Sequence, residues 1–121
     1  MSIARFVSCT AVTAALLASA SVRRASADAP APRVVEVTAR RFEFTPAAIR
    51  LRKGETVTLR LRTLDVRHGL FSRPLGIDAE FEPGAARDVT ITPRETGTFV
   101  VICDRFCGSG HGNMKIAVVV E

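Results

Sequence analysis

The segment GTFVVICDRFCGSGHGNMKIAVVV, residues 97–120, decides the fold of this chain. Its two ends, 97–103 and 114–120, are β-branched and nearly continuous in apolar residues, which is typical of central strands in a buried sheet. Three glycines lie between these runs and let the backbone turn tightly. The segment therefore predicts two neighbouring core strands joined by a compact loop.

Shorter strands are predicted upstream of this segment. In TVTLRLRT (56–63) every second residue is Val or Leu, and threonine and arginine alternate with them, which indicates a strand with one buried face. Four further short runs have strand composition and are separated by proline and glycine turns: 34–39, 42–44, 49–52 and 87–92. About seven short strands predict an all-β fold, either an antiparallel sandwich or a small Greek-key barrel. The segment 72–86 has the least regular pattern, and we expect it to be a long crossing loop.

The N-terminus has the pattern of a secretory signal peptide. Arg5 precedes an apolar, small-residue run (6–22), and Ala25-Ser26-Ala27 follows as a cleavage pattern. We expect residues 1–27 to be the signal peptide, 28–35 a linker with the start of the first strand, and 36–121 the folded domain. This predicts an exported, periplasmic protein. The alternative is that the apolar run is retained and anchors the domain to a membrane.

Charge and motifs exclude several classes of function. Removal of Arg5, Arg23 and Arg24 with the signal peptide would lower the formal charge from +5 to +2. The remaining basic residues are scattered among apolar ones, as on the wet face of a sheet, so nucleic acid binding is not expected. No nucleophile–base pair, carboxylate dyad or phosphate loop is recognisable. The sequence thus predicts no catalytic site of its own.

The loop after residue 103 concentrates soft metal ligands. Cys103, Cys107 and His111 follow one another at a spacing of four, and Met114 comes three residues later. Thiolate, imidazole and thioether favour copper or zinc over magnesium or calcium. A disulfide between the two cysteines is also compatible with an exported protein, and His68 would complete a four-ligand structural zinc site. These alternatives stay open on residue types alone.

The motif C-x-x-x-C-G-x-G-H-x-x-M, with DVRHG upstream, resembles the binuclear copper A domain of cytochrome c oxidase subunit II and nitrous oxide reductase. FEFTPAAIRLRKGETVTLRL (42–61) is similar to the N-terminal strands of cupredoxins. The likeness covers about 36–121 and implies a cupredoxin-like Greek-key β-sandwich. Mononuclear blue-copper cupredoxins have a single cysteine in this loop, so the paired cysteines are a specific signal.

The resemblance implies roles for six residues around two copper ions. The residues matching Cys103 and Cys107 bridge the ions, and those matching His68 and His111 each bind one. The residue matching Met114 is a weak axial ligand, and the backbone carbonyl of the residue matching Arg105 is the other. The implied function is electron transfer with a redox protein partner, a cytochrome or a terminal oxidase or reductase subunit. The alternative is copper storage or delivery without electron transfer.

Two features depart from the family pattern. Oxidase members usually have glutamate where this chain has Arg105, and the chain has neither tryptophan nor tyrosine for an aromatic electron-entry patch. We expect the Arg105 cation to favour an acidic partner over a basic one. Asp65 and Asp104 are candidates to orient nearby groups as hydrogen-bond acceptors.

Overall fold

A computed structural model of the chain describes residues 31–121, so the predicted signal peptide (1–27) and the first three residues of the predicted linker (28–30) lie outside the described residues. The described part is all-β, with one 3-10 turn at His111–Asn113. Nine strands follow in chain order: β1 (Arg33–Arg40), β2 (Glu43–Thr45), β3 (Ala48–Leu51), β4 (Val57–Thr63), β5 (His68–Ser72), β6 (Ile77–Phe81), β7 (Arg87–Ile91), β8 (Gly97–Ile102) and β9 (Lys115–Val120). Within residues 31–121 no helix has the length and apolarity needed to cross a membrane.

The strands form two sheets that pack face to face. One sheet has the order β2-β1-β4-β7 and the other the order β3-β9-β8-β5-β6. Two pairings are parallel, β1 with β4 and β3 with β9, and the other pairings are antiparallel. The predicted all-β sandwich is confirmed. The predicted pairing of the two central runs is also confirmed, because β8 and β9 are antiparallel neighbours.

The core lies between the sheets and follows the alternation read from the sequence. In β4 the side chains of Val57, Leu59 and Leu61 are buried, as the period of two predicts. In β9 the side chains of Ile116 and Val118 are buried in the same alternating manner. Met114, Cys103 and Cys107 extend this core at the end where β8 and β9 enter their connecting loop.

The predicted long loop at 72–86 is wrong, because it contains strand β6. This strand pairs antiparallel with β5, another strand that the sequence reading missed, from His68 opposite Phe81 to Ser72 opposite Ile77. The alternation in β6 is regular, but its three central residues, Asp78, Ala79 and Glu80, have low strand propensity, and only Ile77 and Phe81 at its ends favour a strand. Pairing with β5 therefore outweighs local preference. The β5–β6 pair accounts for the difference between nine strands and the expected seven.

Candidate metal centre

Three buried ligand residues converge at one end of the sandwich. One ligand atom each from His68, Cys103 and Cys107 lies within 4.8 Å of the other two. All three side chains are at least 95% buried. His68 is the first residue of β5 and Cys103 directly follows β8, and these strands are neighbours in one sheet. The fold thus joins two residues that are 35 positions apart in the chain.

The second half of the site lies on the loop itself. The Cys107 Sγ atom is 3.7 Å from His111 Nδ1 and 3.8 Å from Met114 Sδ. The 3-10 turn that begins at His111 places its ring beside Cys107, and the Cys103 amide donates to the Met114 carbonyl to close the loop. His111 is partly exposed, whereas Met114 is fully buried. Cys107, His111 and Met114 therefore form one group of donors.

Cys103 has a separate group of donors around it. Its Sγ atom lies 3.9 Å from His68 Nδ1 and 3.3 Å from the Arg105 carbonyl oxygen. Sulfur and nitrogen bound to one tetrahedral ion, at about 2.3 Å and about 2.0 Å from it, lie about 3.5 Å apart. The sulfur–nitrogen distances in both groups are close to that value, so the residues fit a metal. All six predicted donors are brought together.

Asp65 orients the His68 ring. Its Oδ1 atom accepts from His68 Nε2 at 2.8 Å, and its Oδ2 atom accepts from the Arg41 amide at 2.7 Å. With the Nε2 proton held by a carboxylate, Nδ1 presents its lone pair toward Cys103. Burial raises the pKa of Asp65, but hydrogen bonds from the Arg41 amide, the His68 ring and the Val66 amide outweigh burial and lower it to about 2. The Asp65 carboxylate is therefore ionised across the physiological range.

Arg41 and Phe42 support the loop, and sequence reasoning missed both. Arg41 Nε donates to the Cys107 carbonyl at 2.7 Å, which links the Asp65 side of the site to the Cys107 side. The Phe42 ring covers Gly108 and Gly110 so closely that a Cβ atom at Gly110 would lie 2.5 Å from it. The glycines thus serve close packing against a ring. No local pattern could have shown this contact, because the turn between β1 and β2 is distant in sequence from the loop.

Asp104 and Arg105 lie on the other side of Cys103. Asp104 approaches Gly69 and lies 3.8 Å from the Arg105 guanidinium, so it neighbours a charge and not a ligand ring. Arg105 is ion-paired with Glu80 of β6, and a hydrogen bond from Arg105 lowers the pKa of Glu80. The sequence alone suggested an isolated cation beside the site. The structure shows instead that Glu80 balances the charge of Arg105.

Cys103 and Cys107 are free thiols in the structure. Burial, together with the nearby Cys103, raises the pKa of Cys107 to about 11. A metal must therefore displace a proton from this thiol at neutral pH, and binding releases that proton. Metal affinity is expected to rise with pH for this reason.

We expect Asp65→Asn to weaken metal binding by about 10- to 100-fold, the usual effect of losing a partner that orients a ligand. The amide cannot accept on both sides, so its NH₂ group would face either the Arg41 amide or the His68 Nε2 proton. Competition with a copper chelator measures the effect. Asp88→Asn is the matched control, because Asp88 pairs with Arg60 on the sheet formed by β2, β1, β4 and β7. Equal affinities for the two variants would contradict the role of Asp65.

A model of the cupredoxin-like domain family matches residues 9–118 of this chain. The chain belongs to this family. The predicted cupredoxin fold is therefore confirmed, and family membership together with the His/Cys/Cys cluster implies copper binding. Among the open alternatives, this favours copper over structural zinc.

Among its relatives, this cupredoxin-like chain is 32% identical over 87 residues to cytochrome c oxidase subunit 2 of Thermus thermophilus. The match covers 72% of this chain and 64% of that protein, so the chain spans less than two thirds of its relative. The structure of a heme-copper terminal oxidase dimer contains a similar chain, with a TM-score of 0.67, 26% identity and coverage of 74% and 65%.

The fold also matches the periplasmic domain of subunit II of cytochrome oxidase from Bradyrhizobium japonicum. The TM-score is 0.65 at 18% identity, covering 74% of this chain and 83% of that domain. The sequence match to cytochrome c oxidase subunit 2, together with the family match, confirms the predicted resemblance to subunit II of cytochrome c oxidases.

Proposed function

We propose that this cupredoxin-like domain holds a binuclear copper centre and transfers electrons. The observation that carries the proposal is the division of the donors into two groups. Cys103 has the His68 ring and the Arg105 carbonyl beside it, and Cys107 has the His111 ring and Met114 beside it. The two thiols lie within 4.8 Å of each other, so each can be shared between two metals.

The surroundings of these donors suit one-electron chemistry, which copper supplies when bound. Cys103, Cys107 and Met114 are buried, and the strands β5, β8 and β9 hold the segments that carry them. Backbone and side-chain contacts fix the donors before any metal binds, which keeps their geometry nearly constant when the charge of the site changes. Small reorganisation favours fast electron transfer.

The cellular location of the domain and its redox partner are parts of the same proposal. We propose that the domain is exported, from the signal peptide predicted at 1–27, and works with a redox protein, either a cytochrome or a terminal oxidase or reductase subunit. The relationship to oxidase subunit 2 and the likeness to a chain of a terminal oxidase support such a partner. Contact with a membrane is expected only if the N-terminal segment is retained.

Copper stoichiometry and electron paramagnetic resonance test the proposal. We expect two copper ions per domain and, in the oxidised form, one unpaired electron shared by both copper nuclei. One copper per domain, or preferential retention of zinc, would contradict it. A different result would favour the alternative of copper storage or delivery. In that case two ions bind and are transferred readily to a copper acceptor, but electron transfer to every cytochrome tried is slow.

A further inference from the structure

Glu80 lies outside the ligand set but is bonded to two residues adjacent to it. Its Oε1 atom is 3.0 Å from Arg67 Nη1, and its Oε2 atom pairs with Arg105 Nε. Arg67 directly precedes the ligand His68, and Arg105 supplies the carbonyl beside Cys103. One carboxylate on β6 is thus connected to both partners of Cys103.

The path of the Arg105 side chain explains how a residue on β6 reaches the loop. β5 lies between β8 and β6, and Gly69 of β5 is opposite Glu80 in the β5–β6 register. A Cβ atom at Gly69 would lie 2.8 Å from Arg105 Cγ, so the stem of Arg105 crosses β5 where no side chain blocks it. The guanidinium then reaches the Glu80 carboxylate on the far side of β5. The loop between β8 and β9, called the ligand loop from here on, is therefore joined to β6 by an ion pair that spans β5.

We propose that Glu80 is a positioning residue of the metal centre, which holds the Arg105 side chain and thereby fixes the Arg105 carbonyl beside Cys103. The effect of Glu80 on copper rests on the proposed function, whereas the effect of Glu80 on the loop does not. Glu80 also balances the charge of Arg105, so the field at the site depends on the pair. An exposed ion pair contributes little to global stability, so the effect belongs to the loop and not to the whole fold.

Glu80→Gln and Glu82→Gln form a matched pair of variants. Both remove one negative charge from the same region, and both carboxylates pair with Arg67. Glu80 is bonded to Arg105 as well as to Arg67, whereas the partner of Glu82 is Arg67, at 2.9 Å. A difference between the variants therefore reports the bond to Arg105.

The first measurement uses reduced, metal-free protein and follows alkylation of Cys103 by peptide mass spectrometry. Opening of the loop exposes this buried thiol, so Glu80→Gln should raise its alkylation rate about five-fold and Glu82→Gln less than about two-fold. Arg105→Gln removes the same bond from the other end and should match Glu80→Gln. Adding Glu80→Gln to Arg105→Gln should change the rate no further.

The second measurement is the reduction potential of the copper-loaded variants. Glu80→Gln should raise the potential, because the Arg105 cation loses its counter-charge, and Glu82→Gln should change it less. Two results would overturn the proposal. One is an equal alkylation rate in Glu80→Gln and Glu82→Gln, and the other is a full effect of Glu80→Gln when it is added to Arg105→Gln. Because the alkylation experiment needs no copper, it tests Glu80 even if the site proves to be mononuclear.

Discussion

Cys107→Ser is expected to reduce the copper content from two ions per domain to at most one, with loss of the shared-electron signal. Cys107 lies within 4.8 Å of Cys103 and beside both His111 and Met114, so it links one group of donors to the other. A serine hydroxyl is a hard, weakly acidic donor and cannot replace a bridging thiolate. Copper analysis and electron paramagnetic resonance of the loaded variant measure the effect.

Met114→Leu is the comparison for that experiment. Met114 is buried, and leucine preserves its volume, so the free energy of unfolding should fall by less than about 1.5 kcal/mol. A thioether would be a weak donor to copper, so two coppers should remain and mainly the reduction potential should change. Loss of copper in Met114→Leu together with an unchanged spectrum in Cys107→Ser would reverse the assignment.

Gly69→Ala is expected to disrupt the site without changing any ligand. The added Cβ atom would lie 2.1 Å from Asp104 Oδ1, 2.8 Å from Arg105 Cγ and 3.2 Å from the Arg105 backbone nitrogen. Because one contact is with backbone, side-chain rotation alone cannot relieve the crowding, and the ligand loop must move away from β5. Overpacking of this kind typically destabilises by about 1–3 kcal/mol. The displaced Arg105 carbonyl should also weaken copper binding.

Gly112→Ala is the control for Gly69→Ala. Gly112 is in the same ligand loop, but a Cβ atom there would meet nothing within 4 Å, so stability and copper affinity should stay close to wild type. Urea unfolding of the metal-free proteins and chelator competition compare the two variants. If both variants behave alike, the close approach of the loop to β5 is not what positions the site.

The sequence by itself determined the parts of this protein that depend on local pattern. Period-two alternation assigned the buried face of β4, and the continuous apolar runs identified β8 and β9 as neighbours around a loop. The ligand types in that loop, and their spacing, indicated a soft-metal site. These inferences hold because side-chain direction in a strand follows from position alone, and a short loop keeps its residues close together.

Only the tertiary structure decided which distant residues meet. It placed His68 next to Cys103, formed the β5–β6 pair that local propensity does not favour, and set Arg41 against the Cys107 carbonyl. It also paired Arg105 with Glu80, so a residue that reads as an isolated cation in the sequence has its charge balanced. The physical reason is that sheet order and register bring these groups together, and both are set by packing over the whole sandwich.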